Sequence, residues 1–380
     1  MTPPLRVLLM SGSAPPIPCG VGDYTAYLAS EIASIDGIEV ALLTSLSTNT
    51  SARTSTLKGV ALIEPFSSWH PLNFFAARRA ILKWRPDILH IQWPVLAAHK
   101  GALLEILPLW FRFFYNKPVV LTLHEHILPR MKWTLMMAKS STVVTSVRPN
   151  FPDGFSKGLS SSAATKPFHY IANASILPKV EPTSQQVAAV RKCLGVEDGK
   201  PMIAYFGLLY PDRGVHQLFQ IANPAEHHLV IIGGAISVAL DYHHHVIELS
   251  QKTPWRHRSS ITGFLPSEEA ALILACADAI VLPFLRGGGI WNTSIHGARL
   301  QETFVLTTSV NRRGYDRNQN VYWAEPDNLE EMRVALRHYL GLRHKGSSND
   351  VPLWPQIASQ HAALYKSLLP NNHSNSTGPT

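Results

Sequence analysis

The 380-residue chain is short of cysteine, of charge and of long apolar runs, and each shortage excludes something. Cys19, Cys193 and Cys276 lie far apart and form no CxxC pair. Neither a disulfide framework nor a thiolate metal site is expected, and the usage points to a reducing compartment. Charged residues make up 16% of the chain against 46% hydrophobic, a balance too apolar for a disordered polymer. No stretch approaches the roughly 20 apolar residues of a membrane span. The opening MTPPLRVLLMSG has a single arginine and an apolar run too short for a signal-peptide core. The expectation is a cytoplasmic protein, folded into two domains at about 100–200 residues each. Acids are scarcer than bases, 26 against 34, and the net charge of +8 favours an anionic partner: nucleic acid, a phosphorylated ligand or an acidic lipid surface.

Short β-rich runs alternate with helix-length segments, the pattern of parallel sheets covered by helices on both faces. One series runs through Val7–Met10, Val40–Thr44, Ile88–Gln92, Val119–Leu123 and Thr142–Thr145. A second runs through Ile203–Phe206, Leu229–Ile232, Ile261–Phe264, Ala279–Leu282, Val305–Thr308 and Val321–Trp323. Between them lies NASILPKVEPTSQQ (173–186), whose prolines suit neither helix nor central strand and mark a junction. Ile357, His361, Leu364 and Leu368 recur at helical spacing in one terminal helix, and the tail PNNHSNSTGPT has no apolar anchor and is expected to be disordered. Two facing sheets of this kind bind ligands beyond the carboxyl ends of their strands.

After the first strand, Gly20 and Gly22 bring backbone close to a neighbour, and Asp23 can cap a helix with Tyr24, Tyr27, Leu28 and Ile32 on one face. A phosphate- or substrate-contacting loop and a simple tight turn are both open readings, but a dinucleotide fingerprint fails, because Thr25 replaces the third glycine. TLHEH places His124 past a strand end, where it could hydrogen-bond a sugar hydroxyl, steady a developing charge or be purely structural. It is not a zinc motif, since Leu128 stands where a second histidine belongs. His243, His244 and His245 would point in different directions on a helix. FGLLYPDRG delivers Arg213 after Gly207, and PFLRGGGIWNTS delivers Asn292, Thr293 and Ser294 after three glycines. Both loops follow strands of one sheet, so a guanidinium and a helix N-terminus can converge on one diphosphate.

Taken together, CGVGDYT, TLHE, FGLLYPDRG, GFLPSEEAALILACADAIVLPF and the closing ALYKSLL resemble the GT-B glycosyltransferases, specifically the large retaining family four, over about residues 5–369. The resemblance implies an α/β GT-B fold of two facing Rossmann-like domains. Residues 1–175 would bind acceptor and 187–345 the nucleotide sugar, with a helix at 351–369 crossing back to the first domain and a tail at 370–380. It places the donor on Gly207, Arg213, Asn292, Thr293 and Ser294, with Phe264 and Leu265 by the base. The acceptor would lie along Gly20, Val21, Gly22, Asp23 and Tyr24, with His124 as the catalytic candidate near the reacting sugar. Such enzymes are generally metal-independent, so no cofactor is expected.

The chain departs from the family where many relatives carry two glutamates eight apart. Gly287 and Ile295 stand there, or Gly297 with a two-residue insertion, and Leu208 replaces a second basic residue. A glycine-rich subgroup shares the first departure. The partners expected are a nucleotide-sugar donor and a glycan, polysaccharide or lipid-linked acceptor. FFAARRAILKWR (74–85) and LPLWFRFFYNK (107–117) mix basic and aromatic residues, and read either as an anionic membrane-surface contact at the inner face or as ordinary core-facing helices. Nucleic acid is not expected, for want of any other basic helix with interleaved aromatics. The rival functions are a catalytically silent GT-B scaffold subunit, a nucleotide-sugar epimerase, and a phosphorylase. The last would need a pyridoxal lysine among Lys192, Lys200, Lys252 and Lys345, none of which lies in a recognisable loop.

Overall fold

β-Branched and leucine-rich runs too short for helices assemble, in a computed structural model, into two seven-stranded sheets. The structure describes residues 3–46, 57–94, 102–125, 130–150, 155, 168–234 and 239–369. The chain divides into two compact units, Met1–Asn173 with Leu353–Thr380, and Ala174–Pro352.

The first unit contains β1 (Leu5–Met10), β2 (Ile38–Leu43), β3 (Val60–Ile63), β4 (Ile88–Trp93), β5 (Val119–Leu123), β6 (Val143–Ser146) and β7 (Phe168–Tyr170). They run in the order β3-β2-β1-β4-β5-β6-β7, all parallel. The direction of winding reverses between β1 and β4, and a crevice opens beyond the carboxyl ends at such a switch point. Helices α1 (Gly20–Ala33), α2 (Phe74–Trp84), α3 (Leu103–Trp110) and α4 (Met131–Ser140) connect these strands.

The second unit repeats the plan with β8 (Met202–Phe206), β9 (His228–Ile232), β10 (Ser259–Gly263), β11 (Ala279–Leu282), β12 (Val305–Thr308), β13 (Gly314–Asp316) and β14 (Val321–Ala324). Their order is β10-β9-β8-β11-β12-β14-β13, parallel except for β13 against β14, and the switch point falls between β8 and β11. Its helices are α5 (Ser184–Cys193), α6 (Leu218–Ile221), α7 (Leu240–Gln251), α8 (Ser267–Cys276), α9 (Thr293–Leu300) and α10 (Leu329–Tyr339).

The last helix, α11 (Trp354–Ser367), belongs to the first unit. Its Trp354 stacks on Tyr27 of α1 at 5.5 Å between ring centres and meets Tyr24 edge-on at 5.2 Å. Ile357, Leu364 and Tyr365 are buried, each stabilising the packing by about 1.5–3 kcal/mol.

Several details differ from the sequence reading. Helix α1 begins at Gly20 with Cys19 at its N-cap, so Asp23 lies inside the first turn rather than capping it. Strand β10 ends at Gly263, which leaves Phe264 beyond the sheet. Strands β3, β7 and β13 escape the sequence pattern, and the 370–380 tail lies outside the described residues.

Candidate functional site

At the second unit's switch point, two loops lock onto each other. Gly207 leaves β8 at φ +152°, a conformation favouring glycine, with its amide donating to the Ile232 carbonyl at 3.0 Å. The turn Pro211–Arg213 follows, and then Gly214 at φ +66°. A Cβ on Gly214 would lie 2.0 Å from the Pro283 carbonyl oxygen, so the chain after β8 presses directly on the chain after β11. The Leu285 amide donates to the Asp212 carbonyl at 3.0 Å, and Arg286 Nε approaches the Asp212 carboxylate at 3.4 Å.

Arg213 rides on this join. Its guanidinium stands 5.2 Å over the Phe284 ring and has no ion-pair partner among the described residues. Within the triple glycine, the Gly288 amide donates to the Thr308 carbonyl at 2.6 Å, and a Cβ on Gly288 would collide with the Phe284 ring at 2.6 Å. Asn292 turns its side-chain oxygen back to the Gly289 amide at 2.9 Å, closing the glycine turn instead of capping α9. Half-buried Thr293 and Ser294 begin that helix, whose first amides point to the same sheet edge. Phe264, 52% exposed, lies against the backbone of Gly234 after β9, whereas Leu265 turns into the core.

Two residues at this edge carry no sequence signal. Arg312, in the loop after β12, places its guanidinium 4.9 Å over the Trp323 ring. It brings a second cation to the edge whose expected position is occupied by Leu208. His296, buried on α9, donates Nε2–H to the Ile290 carbonyl at 2.8 Å, and burial lowers its pKa to about 4.

The first unit's switch point is lined by the loop after β1. A Cβ on Gly22 would meet the Ser13 carbonyl oxygen at 3.0 Å, and Trp69 Nε1 donates to the Gly12 carbonyl at 2.9 Å. Gly20 is exposed and Val21 and Asp23 are half-buried, but Tyr24 is buried, its hydroxyl 3.4 Å from His361 Nε2. Tyr24 thus supports the loop from beneath and reaches His124, whose ring it meets edge-on at 4.7 Å. Burial raises the Asp23 pKa to about 7.

His124 follows β5, its amide tied to the Trp93 carbonyl at 2.8 Å. Its Nε2 lies 2.8 Å from Gln92 Oε1, and Gln92 Nε2 lies 3.0 Å from His90 Nε2. His90 Nδ1 contacts the Tyr365 hydroxyl at 2.6 Å, while Thr122 Oγ1 sits 2.6 Å from His90 Nε2 and 2.5 Å from Thr145 Oγ1. Burial, then the neighbouring His361, lowers the His124 pKa to about 3. Burial alone does the same for His361, and His90 is held well below the ordinary histidine range by burial, then by His361 and His124. At neutral pH His124 is an uncharged hydrogen-bonding group. His90, Gln92 and Tyr365 were not legible as site residues in the sequence.

The two basic and aromatic segments divide between both readings. In α2, Ala77 and Ile81 face the core while Phe75 is 76% exposed, and beyond α3 Phe113 and Phe114 are 70% and 82% exposed. Among the described residues, no helix is long and apolar enough to cross a membrane. No three His, Cys, Asp or Glu side chains among them are grouped to hold a metal ion, and His243, His244 and His245 lie along α7.

Residues 18–149 match the family model described as Glycosyltransferase Family 4. No curated protein matches the chain. Among solved structures, sucrose-phosphate synthase from Thermosynechococcus elongatus is 15% identical with TM-score 0.75, covering 96% of this chain and 99% of that one. A glycosyltransferase from Rickettsia africae is 16% identical with TM-score 0.71, covering 97% and 100%. Anabaena HepE, solved with UDP and glucose, is 13% identical with TM-score 0.72, covering 96% and 100%. At such identities the structural likeness is one of fold. The family-four reading of the sequence is matched by the family model over residues 18–149 and the GT-B fold by the solved structures, and neither comparison supports a silent scaffold.

Proposed function

We propose that this chain, a glycosyltransferase of GT-B fold with a Family 4 segment at residues 18–149, transfers a sugar from a nucleotide-diphosphate donor held by its second unit. The observation that carries the reading is the Gly214–Pro283 lock, which commits Arg213 and the α9 N-terminus to one sheet edge. A guanidinium without an acid partner and the Thr293 and Ser294 amides at the start of a helix suit a diphosphate, and both gain strength in a water-poor site. They would neutralise the leaving diphosphate without a resident metal, Arg312 supplying the charge that Leu208 does not. The base would rest by Phe264 and Leu265, and Asn292, Thr293 and Ser294 would face phosphate or sugar. UDP bound to HepE and ADP bound to a starch synthase from Arabidopsis thaliana support a nucleotide-diphosphate donor.

In the proposed chemistry the bond from the anomeric carbon to the diphosphate oxygen breaks as the bond to the acceptor oxygen forms on the same face. The acceptor proton passes to the departing oxygen, and configuration is retained. The sequence offers no carboxylate at a strand end suited to act as a nucleophile, which supports this route over a two-carboxylate one. His124 would act near the reacting sugar, and Gly20 to Tyr24 would form or support the wall that takes a glycan, polysaccharide or lipid-linked acceptor. The exposed Phe75, Phe113 and Phe114, amid Arg78, Arg79 and Arg112, fit an anionic bilayer surface as the place where a lipid-linked acceptor is met. Thermal shift with a panel of nucleotide sugars, followed by NMR of the product's anomeric centre, tests the reading. Stabilisation by at least one donor and a retained anomer are expected; an unresponsive protein refutes the donor site, and an inverted product refutes the same-face route.

A further inference from the structure

The chain of contacts from Tyr365 to His124 has a direction fixed by one residue. An amide oxygen can only accept and an amide nitrogen only donate. With Gln92 Oε1 at 2.8 Å from His124 Nε2, the imidazole must carry its proton there. With Gln92 Nε2 at 3.0 Å from His90 Nε2, that nitrogen must be the bare one, so His90 donates from Nδ1 to the Tyr365 oxygen at 2.6 Å. When Thr122 donates to the same His90 nitrogen it shares that nitrogen's single lone pair with Gln92, and its own oxygen then accepts from Thr145. His124 Nδ1 has no hydrogen-bond partner among the described residues, and the Tyr24 ring against the imidazole fixes its plane.

We infer that Gln92 is a positioning residue: it holds His124 as the Nε2–H tautomer, so that Nδ1 faces the ligand as an acceptor and selects a hydroxyl that donates to it. The orientation is anchored at its far end by α11, through Tyr365, and is independent of charge. A His124 fixed in this way accepts from a sugar hydroxyl, and has no proton to offer a carbonyl or an anion. The choice of a sugar hydroxyl rests on the proposed transfer reaction; the tautomer does not.

Long-range proton–nitrogen NMR of the full chain, labelled with 15N-histidine, reads which ring nitrogen carries the proton, with His124→Gln assigning the signals. The wild type is expected to show His124 protonated at Nε2 alone. In Gln92→Leu the two tautomers should mix, and transfer should fall about tenfold, the equivalent of one hydrogen bond. In Gln92→Glu a carboxylate oxygen still accepts from Nε2–H, His90 turning to donate, so the tautomer and most of the activity should return. A wild-type His124 protonated at Nδ1, or a tautomer unmoved in Gln92→Leu, overturns the inference, and the wild-type spectrum decides alone if Gln92→Leu does not fold. The expected tautomer in a protein that transfers no sugar supports the relay and refutes the transfer reading instead.

Discussion

Replacing Gly214 by alanine tests the lock between the two glycine loops. The added Cβ would sit 2.0 Å from the Pro283 carbonyl oxygen, more than an ångström short of ordinary contact. That carbonyl directly follows β11, which is paired on both sides by β8 and β12 and cannot recede. The left-handed backbone costs an alanine about 1–2 kcal/mol. If the loops part, the Leu285 amide loses the Asp212 carbonyl, at about 1–3 kcal/mol for a stranded donor. The total is about 2–5 kcal/mol. Gly199→Ala is the internal control: its φ of +76° carries the same backbone strain, yet nothing lies within 4 Å of the new methyl. Urea unfolding followed by tryptophan fluorescence should show the midpoint of Gly214→Ala about 1–2 M lower, and that of Gly199→Ala about half as far or less. Calorimetry should show nucleotide-diphosphate affinity down at least tenfold in the first and unchanged in the second. Equal destabilisation by the two variants would refute the steric argument, and undiminished nucleotide binding by Gly214→Ala would detach the lock from the donor site.

Arg213→Ala is expected to weaken nucleoside-diphosphate binding roughly tenfold to a hundredfold and leave the bare nucleoside unaffected, with Arg312→Ala showing a smaller loss of the same kind; equal effects on nucleoside and diphosphate, read by calorimetry, would remove both from the phosphates. Acid should destabilise the first unit from about pH 6.5 downward. His90, His124 and His361 stay neutral when folded but take protons once unfolded; His124 and His361 each give a slope of up to about 1.4 kcal/mol per pH unit between the unfolded value and the folded one near 3, and His90, held well below the ordinary histidine range, adds in the same direction. Asp23, raised to about 7, opposes them with the slope of one group between about pH 4 and 7, so the net sign favours higher pH, and a flat melting temperature between pH 7 and 5 would contradict it. Phe113→Ser with Phe114→Ser should abolish flotation with anionic liposomes without changing donor binding; unchanged flotation would relocate the membrane contact.

The central strands and the two glycine loops were legible because central parallel strands are uninterrupted apolar runs and the turns between them need glycine. β3 and β7 were not, being a short strand and a sheet-edge strand of three residues, and β13 reads Gly-Tyr-Asp, which carries no apolar alternation. Phe264 was placed inside a strand because an aromatic after Ile-Thr-Gly extends the apolar pattern, whereas Gly263 at φ +73° ends it. The relay behind His124 was invisible for a different reason. His90 and Gln92 alternate with Leu89 and Ile91 in a strand buried throughout, and their partner Tyr365 lies 275 residues further on. Arg312 was likewise indistinguishable from its neighbours Arg313 and Arg317 until the fold set it over Trp323.

The return of α11 to the first unit constrains the order of events during synthesis. Residues 174–352 are contiguous and can fold as they leave the ribosome, but the earlier-made sheet must wait for Trp354–Ser367 before Tyr27 and His90 find their partners. Until then the nascent protein carries a sheet with a polar, imidazole-lined seam open to water, and a segment translated after the second unit is the one that seals a sheet translated before it.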